Sequence, residues 1–88
     1  MEDLTPPPEG QPVSLEDLRD FARRAVRSSG KTQNRVATEL EVTDSAVSQA
    51  VNEPARNLVG LQRRIIDHLT PYTVREEHAV TYTIERKK

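Results

Sequence analysis

The sequence predicts a mainly α chain with a C-terminal β element, an α+β domain of four helices followed by a strand or hairpin. Apolar residues recur at helical spacing in four stretches between residues 15 and 69, and beyond Pro71 the period changes from 3.6 to 2. Chain length sets the scale, since 88 residues bury only about 60 to 65% of their unfolded surface and support a single core. A hydrophobic content of 34% with one Phe, two Tyr and no Trp is thin for one small globule. A second copy is therefore expected to complete the apolar contacts.

Residues 1–12, MEDLTPPPEGQP, hold four of the six prolines and three acids. Backbone donors are missing and no apolar periodicity repays ordering entropy, so this stretch reads as a flexible acidic arm ahead of a domain over residues 13–88. The first helix opens at Ser14 as N-cap, with Asp17 three residues on and Val13 placed to staple against Leu18. Leu15, Leu18, Phe21, Ala22, Ala25 and Val26 share one arc, opposite Glu16, Arg19, Asp20, Arg23, Arg24 and Arg27. Those arginines suit either phosphate contacts or a solvated face paired with Glu16 and Asp20. Gly30 suits the left-handed stop.

The second helix starts from Thr32 and runs from Gln33 to about Leu40, burying Val36, Ala37 and Leu40. The third follows from Asp44 to about Asn52 with Thr43 as N-cap and Asp44 near the positive helix end. Pro54 interrupts. The fourth, over residues 57–69, places Leu58, Leu61, Ile65 and Leu69 on one face, widened by Val59 and Ile66, until Pro71 forces Thr70 out of helical geometry. In HAVTYTIER, Val80, Tyr82 and Ile84 then alternate with polar neighbours as in a strand. Its edges must pair with the preceding YTV, residues 72–74, or with the same strand of a second subunit, and strand structure is expected over about residues 72–86.

Composition excludes several classes. Without cysteine there is no disulfide framework or thiolate metal site, and two lone histidines make no zinc set. His68 reads as a complement to a helix dipole and His78 as part of a connection. No apolar run approaches the roughly 18 residues that span a bilayer, and the acidic start is unlike a signal peptide, so a soluble cytoplasmic protein without a membrane partner is expected. No nucleophile with a nearby base, glycine loop for phosphates or paired-carboxylate constellation points to catalysis, so no enzyme, cofactor or small-molecule substrate is expected. The net charge of −1 hides an uneven distribution: Arg19, Arg23, Arg24, Arg27, Lys31 and Arg35 face only Asp20 within residues 19–35. Local potential, rather than the sum, steers a charged ligand.

The third helix carries the functional signal. Ala46, Val47, Ala50 and Val51 fill an arc of about 140°, and Asp44, Ser45, Ser48, Gln49 and Asn52 fill the opposite one. A solvated helix face ordinarily uses long Lys and Glu, whereas Ser and Asn are poor interior helix formers. Amides and hydroxyls are the groups that read base edges in the major groove.

Residues 33–52, QNRVATELEVTDSAVSQAVN, resemble the helix-turn-helix of the Cro and phage-repressor family. The register follows from Ala37 at the helix crossing, Leu40 and Val42 around the turn, and Val47 and Ala50 packing back; SAVSQAV is very like a recognition helix of that family. The likeness extends more loosely to the first and fourth helices and to a C-terminal strand like the dimerising strand of Cro proteins. It implies that Thr43, Asp44, Ser45, Ser48, Gln49 and Asn52 face the major groove and that Gln33 touches a phosphate. Lys31 and Arg35 would lie near the same backbone, and Val80, Tyr82 and Ile84 would serve dimerisation. Where the family usually has a turn glycine this chain has Glu41, which must enter the left-handed region at a cost of about 1 kcal/mol. Asp44 either stabilises its helix start or accepts from a cytosine amine.

The expected function is sequence-specific binding of double-stranded DNA by a homodimeric regulator, a Cro-like repressor occluding a promoter at a palindromic operator. The alternatives are an antitoxin that represses its own operon, with the acidic tail as partner segment, and a protein-interaction module using the same helical face.

Overall fold

Local signals place the helices. In a computed structural model describing residues 4–77 and 81–87, α1 spans Leu15–Ser29, α2 Gln33–Leu40, α3 Asp44–Asn52 and α4 Val59–Leu69. The Ser14 hydroxyl accepts from the Asp17 amide at 3.0 Å, and the Asp17 carboxylate accepts from the Ser14 amide at 3.1 Å. Two of the four orphan donors of the first turn are so satisfied. Thr32 and Thr43 cap α2 and α3 by accepting from Arg35 N and Ala46 N, each at 3.1 Å. Gly30 ends α1 at φ 74°.

The turn between α2 and α3 is residues 41–43. Glu41 closes α2 in the left-handed region at φ 59°, ψ 43°, the position where Cβ crowds the following carbonyl. Its amide and that of Val42 answer the last carbonyls of α2, Val42 N reaching Ala37 O at 2.9 Å. From α4, Arg64 Nη2 donates to Leu40 O at 2.7 Å.

The fourth helix departs from its expected start and face. Residues Arg56–Leu58 wind as a 3₁₀ turn, with Leu58 N bonded to Ala55 O at 3.0 Å, and the α-helix begins only at Val59. Neither Ala55 nor Leu58 offers a side-chain cap, so the entry tightens instead. The buried face is Val59, Gln62, Ile65 and Ile66, while Leu58, Leu61 and Leu69 stay half-buried. A polar residue thus occupies the centre of the apolar stripe.

Thr70 is extended ahead of Pro71, and its hydroxyl donates to Ile66 O at 2.6 Å while accepting from Tyr72 N at 3.0 Å. That hydroxyl carries the chain from helix to sheet. Strands β1, Tyr72–Glu77, and β2, Thr81–Arg86, pair antiparallel with Val74 opposite Ile84 and Tyr72 opposite Arg86. Of the two pairings open to the last strand, the structure has the one within the chain, and β1 runs on through Arg75, Glu76 and Glu77.

Tyr72, Val74, Tyr82 and Ile84 turn toward the helices, where they join Leu18, Phe21, Ala25, Val36, Val47, Ile65 and Ile66 in one core. Within it α1 packs on α3 and α4, α2 on α3, and β1 on α4. No helix among the described residues is long and apolar enough to cross a membrane.

Residues 4–12 lie along the body of the domain. Leu4 packs against the core, and Thr5 O accepts from Arg24 Nη1 at 2.9 Å. Further on, a Glu9 carboxylate oxygen accepts from Arg86 N at 2.7 Å and Val13 N donates to Tyr82 O at 2.8 Å. The outer edge of β2 is therefore covered by the preceding chain. On the outer edge of β1, Arg63 Nη2 donates to Val74 O at 3.2 Å. Both edges are blunted by the protein's own polar groups, which limits strand addition by another chain.

Candidate nucleic-acid interface

The start of α3 and the start of α2 lie side by side, bridged by a bond of 2.7 Å from Asn34 Nδ2 to Asp44 Oδ2. Thr43, Asp44, Ser45 and Gln49 are exposed and Ser48 is half-buried, on the side opposite buried Val47, Ala50 and Val51. Gln33, the first residue of α2, is exposed as well. The side chains of Gln33, Ser45 and Gln49 make no hydrogen bond to another described residue. They are amides and a hydroxyl left to solvent, Ser45 and Gln49 one turn apart on α3 and Gln33 at the first position of α2.

Asn52 has a different role from the one its sequence position suggests. Its Nδ2 donates to Ser48 O at 2.7 Å, and its Oδ1 accepts from Arg23 Nη2 at 3.3 Å. Both ends of the amide are engaged inside the chain, so it braces the end of α3. The same guanidinium donates through Nε to Val51 O at 3.0 Å. From α4, Gln62 Nε2 reaches Ala50 O at 2.9 Å and Glu53 O at 3.2 Å. The last carbonyls of a helix have no intrahelical partner. Here α1 and α4 supply side-chain donors, which pin the axis of α3 to the core.

Neither brace is apparent in the sequence pattern. Arg23 falls on the polar arc of α1 and reads as a surface cation, yet it is half-buried against α3. The only trace of Gln62 is its spacing, three residues from Val59 and from Ile65. It is fully buried, and its Oε1 has no partner among the described residues.

Lys31 and Arg35 stand beside the start of α2, but their head groups are held elsewhere. Lys31 Nζ contacts Glu39 Oε1 at 2.8 Å, Arg35 Nε contacts Glu39 Oε2 at 2.9 Å, and His68 Nε2 contacts Glu39 Oε1 at 2.8 Å. This cluster ties α2 to the end of α4. Around the helix, Arg35 and Glu39 lie about 100° from Asn34 and Thr38, away from the α3 side. Of the three expected phosphate contacts, Lys31 and Arg35 are therefore ion-paired within the chain, Arg35 remaining the more exposed of the two, while Gln33 is open to solvent.

Hydrogen bonds from Lys31, then His68 and Arg35, hold the Glu39 carboxyl at a pKa of about 2 against its ordinary 4.5. A carboxylate whose folded value is depressed stabilises the fold above its unfolded value and ceases to do so as pH falls through the folded one. Acid should therefore remove this contribution between about pH 4.5 and pH 2. We expect Glu39→Gln to flatten the fall of the thermal midpoint across that interval, measured by circular dichroism at stepped pH.

The residues assigned to a dimer contact divide three ways. Val80 lies outside the described residues, as does His78. Tyr82 is half-buried, and Ile84 is fully buried within its own chain. Strand alternation puts Ile84 on the same face as Val74, against the helices, so its side chain is not a surface for a partner.

Among the described residues no group of three His, Cys, Asp or Glu is placed to hold a metal ion. An open groove of about 300 Å³ lies between α4 and β1, lined by Gly60, Arg63, Arg64, Asp67, Thr73 and Val74, and includes no residue of α3. Compared with known proteins, the chain matches no family model, no curated protein and no solved structure.

Proposed function

We propose that the protein binds double-stranded DNA in a sequence-specific way through the exposed face of α3, as a helix-turn-helix regulator of the Cro and phage-repressor type. The observation that carries this reading is the exposure of Gln33, Ser45 and Gln49 at the starts of α2 and α3, with hydrogen-bonding groups unused within the described chain. Three features support it: the small polar composition of that face, the paired N-termini of α2 and α3, and the braces from Arg23 and Gln62 that hold α3 rigid. A reader must be held in place, because contacts to base edges discriminate only when their geometry is fixed.

In this reading α3 enters the major groove and α2 lies across the backbone. A dimer would read two half-sites about one helical turn apart, and occupancy would block a promoter without catalysis. With Lys31 and Arg35 paired to Glu39, phosphate contacts are few. The dependence of affinity on salt is then shallow, since the slope scales with the number of phosphates neutralised.

Fluorescence anisotropy with a duplex selected from random DNA tests the proposal. Gln49→Ala is expected to weaken binding by about tenfold, on the order of 1 to 3 kcal/mol for a bidentate base contact. Unchanged affinity in both Gln49→Ala and Ser45→Ala would remove α3 as the reading element.

A further inference from the structure

Accepting the reading just given, on which this inference rests, we infer that Asn34 is a positioning residue that aims the Asp44 carboxylate at a cytosine in the major groove. Asp44 thereby sets the preference for one C·G pair in each half-site. Asp44 is the first residue of α3 and Asn34 the second of α2, so the bond between them crosses the gap between two helix starts. A carboxylate only accepts, so the amide must present its NH₂ to Oδ2. The other carboxylate oxygen makes no hydrogen bond to a described residue, and Asp44 is exposed. One oxygen is fixed and the other is offered outward.

Two base edges donate in the major groove, cytosine N4 and adenine N6. Adenine N6 sits between two acceptors, its own N7 and the O4 of the paired thymine, both of which repel an anionic oxygen. Cytosine N4 has an acceptor on one side only, its other neighbour being a C–H. A carboxylate clamped at one oxygen therefore favours cytosine. This choice also separates Asp44 from its neighbours, because Ser45 and Gln49 can donate as well as accept and tolerate either kind of edge. The clamp explains why an acid is tolerated at a surface that meets DNA. Swinging toward the phosphates would break the bond to Asn34.

The test is selection of bound duplexes from a random pool by the full chain and by Asp44→Asn, Asn34→Ala and Gln49→Ala. The wild type should enrich a motif with one strongly preferred C·G pair. Asp44→Asn, which is isosteric and can donate, should reduce that preference at least about fivefold and shift it toward adenine. Asn34→Ala should weaken the same column and leave the column lost in Gln49→Ala intact. Loss of folding alone would lower every column together, and the helical circular dichroism signal identifies it. An unchanged column in Asp44→Asn, with a different column lost in Gln49→Ala, overturns the inference and leaves the α3 reading standing. A wild type that enriches no motif overturns both.

Discussion

Phe21→Ala is expected to lower the stability of the domain by about 3 to 5 kcal/mol, the range for emptying a buried aromatic site. Phe21 is fully buried on α1 and meets Tyr72 of β1 edge-on, with ring centroids 5.9 Å apart. The Arg24 guanidinium lies 5.3 Å above the same ring, and that arginine also holds the chain ahead of α1 through Thr5 O. One side chain thus joins helix, hairpin and N-terminal segment. A domain of this size has roughly 4 to 13 kcal/mol in total, so the loss consumes a large part of it. In urea the midpoint should fall sharply with the slope unchanged, the mark of lost stability without a changed unfolded state. A shift below about 1 kcal/mol would place Phe21 outside the core.

Ile84→Ala should cost about 2 to 5 kcal/mol, and the size of that loss should be the same at low and high protein concentration. Tyr82 O points away from β1 to meet Val13, so Tyr82, Ile84 and Arg86 belong to the non-hydrogen-bonded pairs of the hairpin. Their side chains on the inner face approach those of β1 closely, and Ile84 fills the space between Val74 and the helices. If instead this residue packed against another copy, the loss would vary with protein concentration, as it does wherever association and folding are linked. Denaturation of the wild type and the variant at two concentrations separates these outcomes.

Much of the backbone was legible in the sequence because its signals act over three or four residues. Ser14 with Asp17, Thr32, Thr43 and Gly30 mark the helix ends, and Pro71 marks the change of period. Glu41 could be assigned its left-handed conformation because the resemblance places it where the helix-turn-helix family usually has a turn glycine. The exposed polar face of α3 followed from its helical wheel, which sets Asp44, Ser45 and Gln49 opposite buried Val47, Ala50 and Val51.

What stayed hidden is the traffic between elements. Arg23 and Gln62 act over separations of 28 and 12 residues, and no periodicity reports a side chain bound to a distant carbonyl. Lys31 read as an available cation because Glu39 meets it from eight residues away, outside any helical repeat, whereas the Arg35–Glu39 pair at i,i+4 was a local signal that went unread. The proline-rich start read as an arm because its contacts, at Thr5 O and the Glu9 carboxylate, depend on partners 19 and 77 residues away. Ile84 was given to a partner because an alternating strand does not say which layer covers its apolar face.

The central claim, that α3 reads DNA, is tested most directly by amide chemical shifts of the full chain during titration with the selected duplex. Perturbations are expected to centre on Gln33, Asn34, Thr43, Asp44, Ser45 and Gln49, with Val74 and Ile84 of the hairpin unmoved. Perturbations confined to the hairpin or to the groove between α4 and β1, with the start of α3 silent, would contradict it.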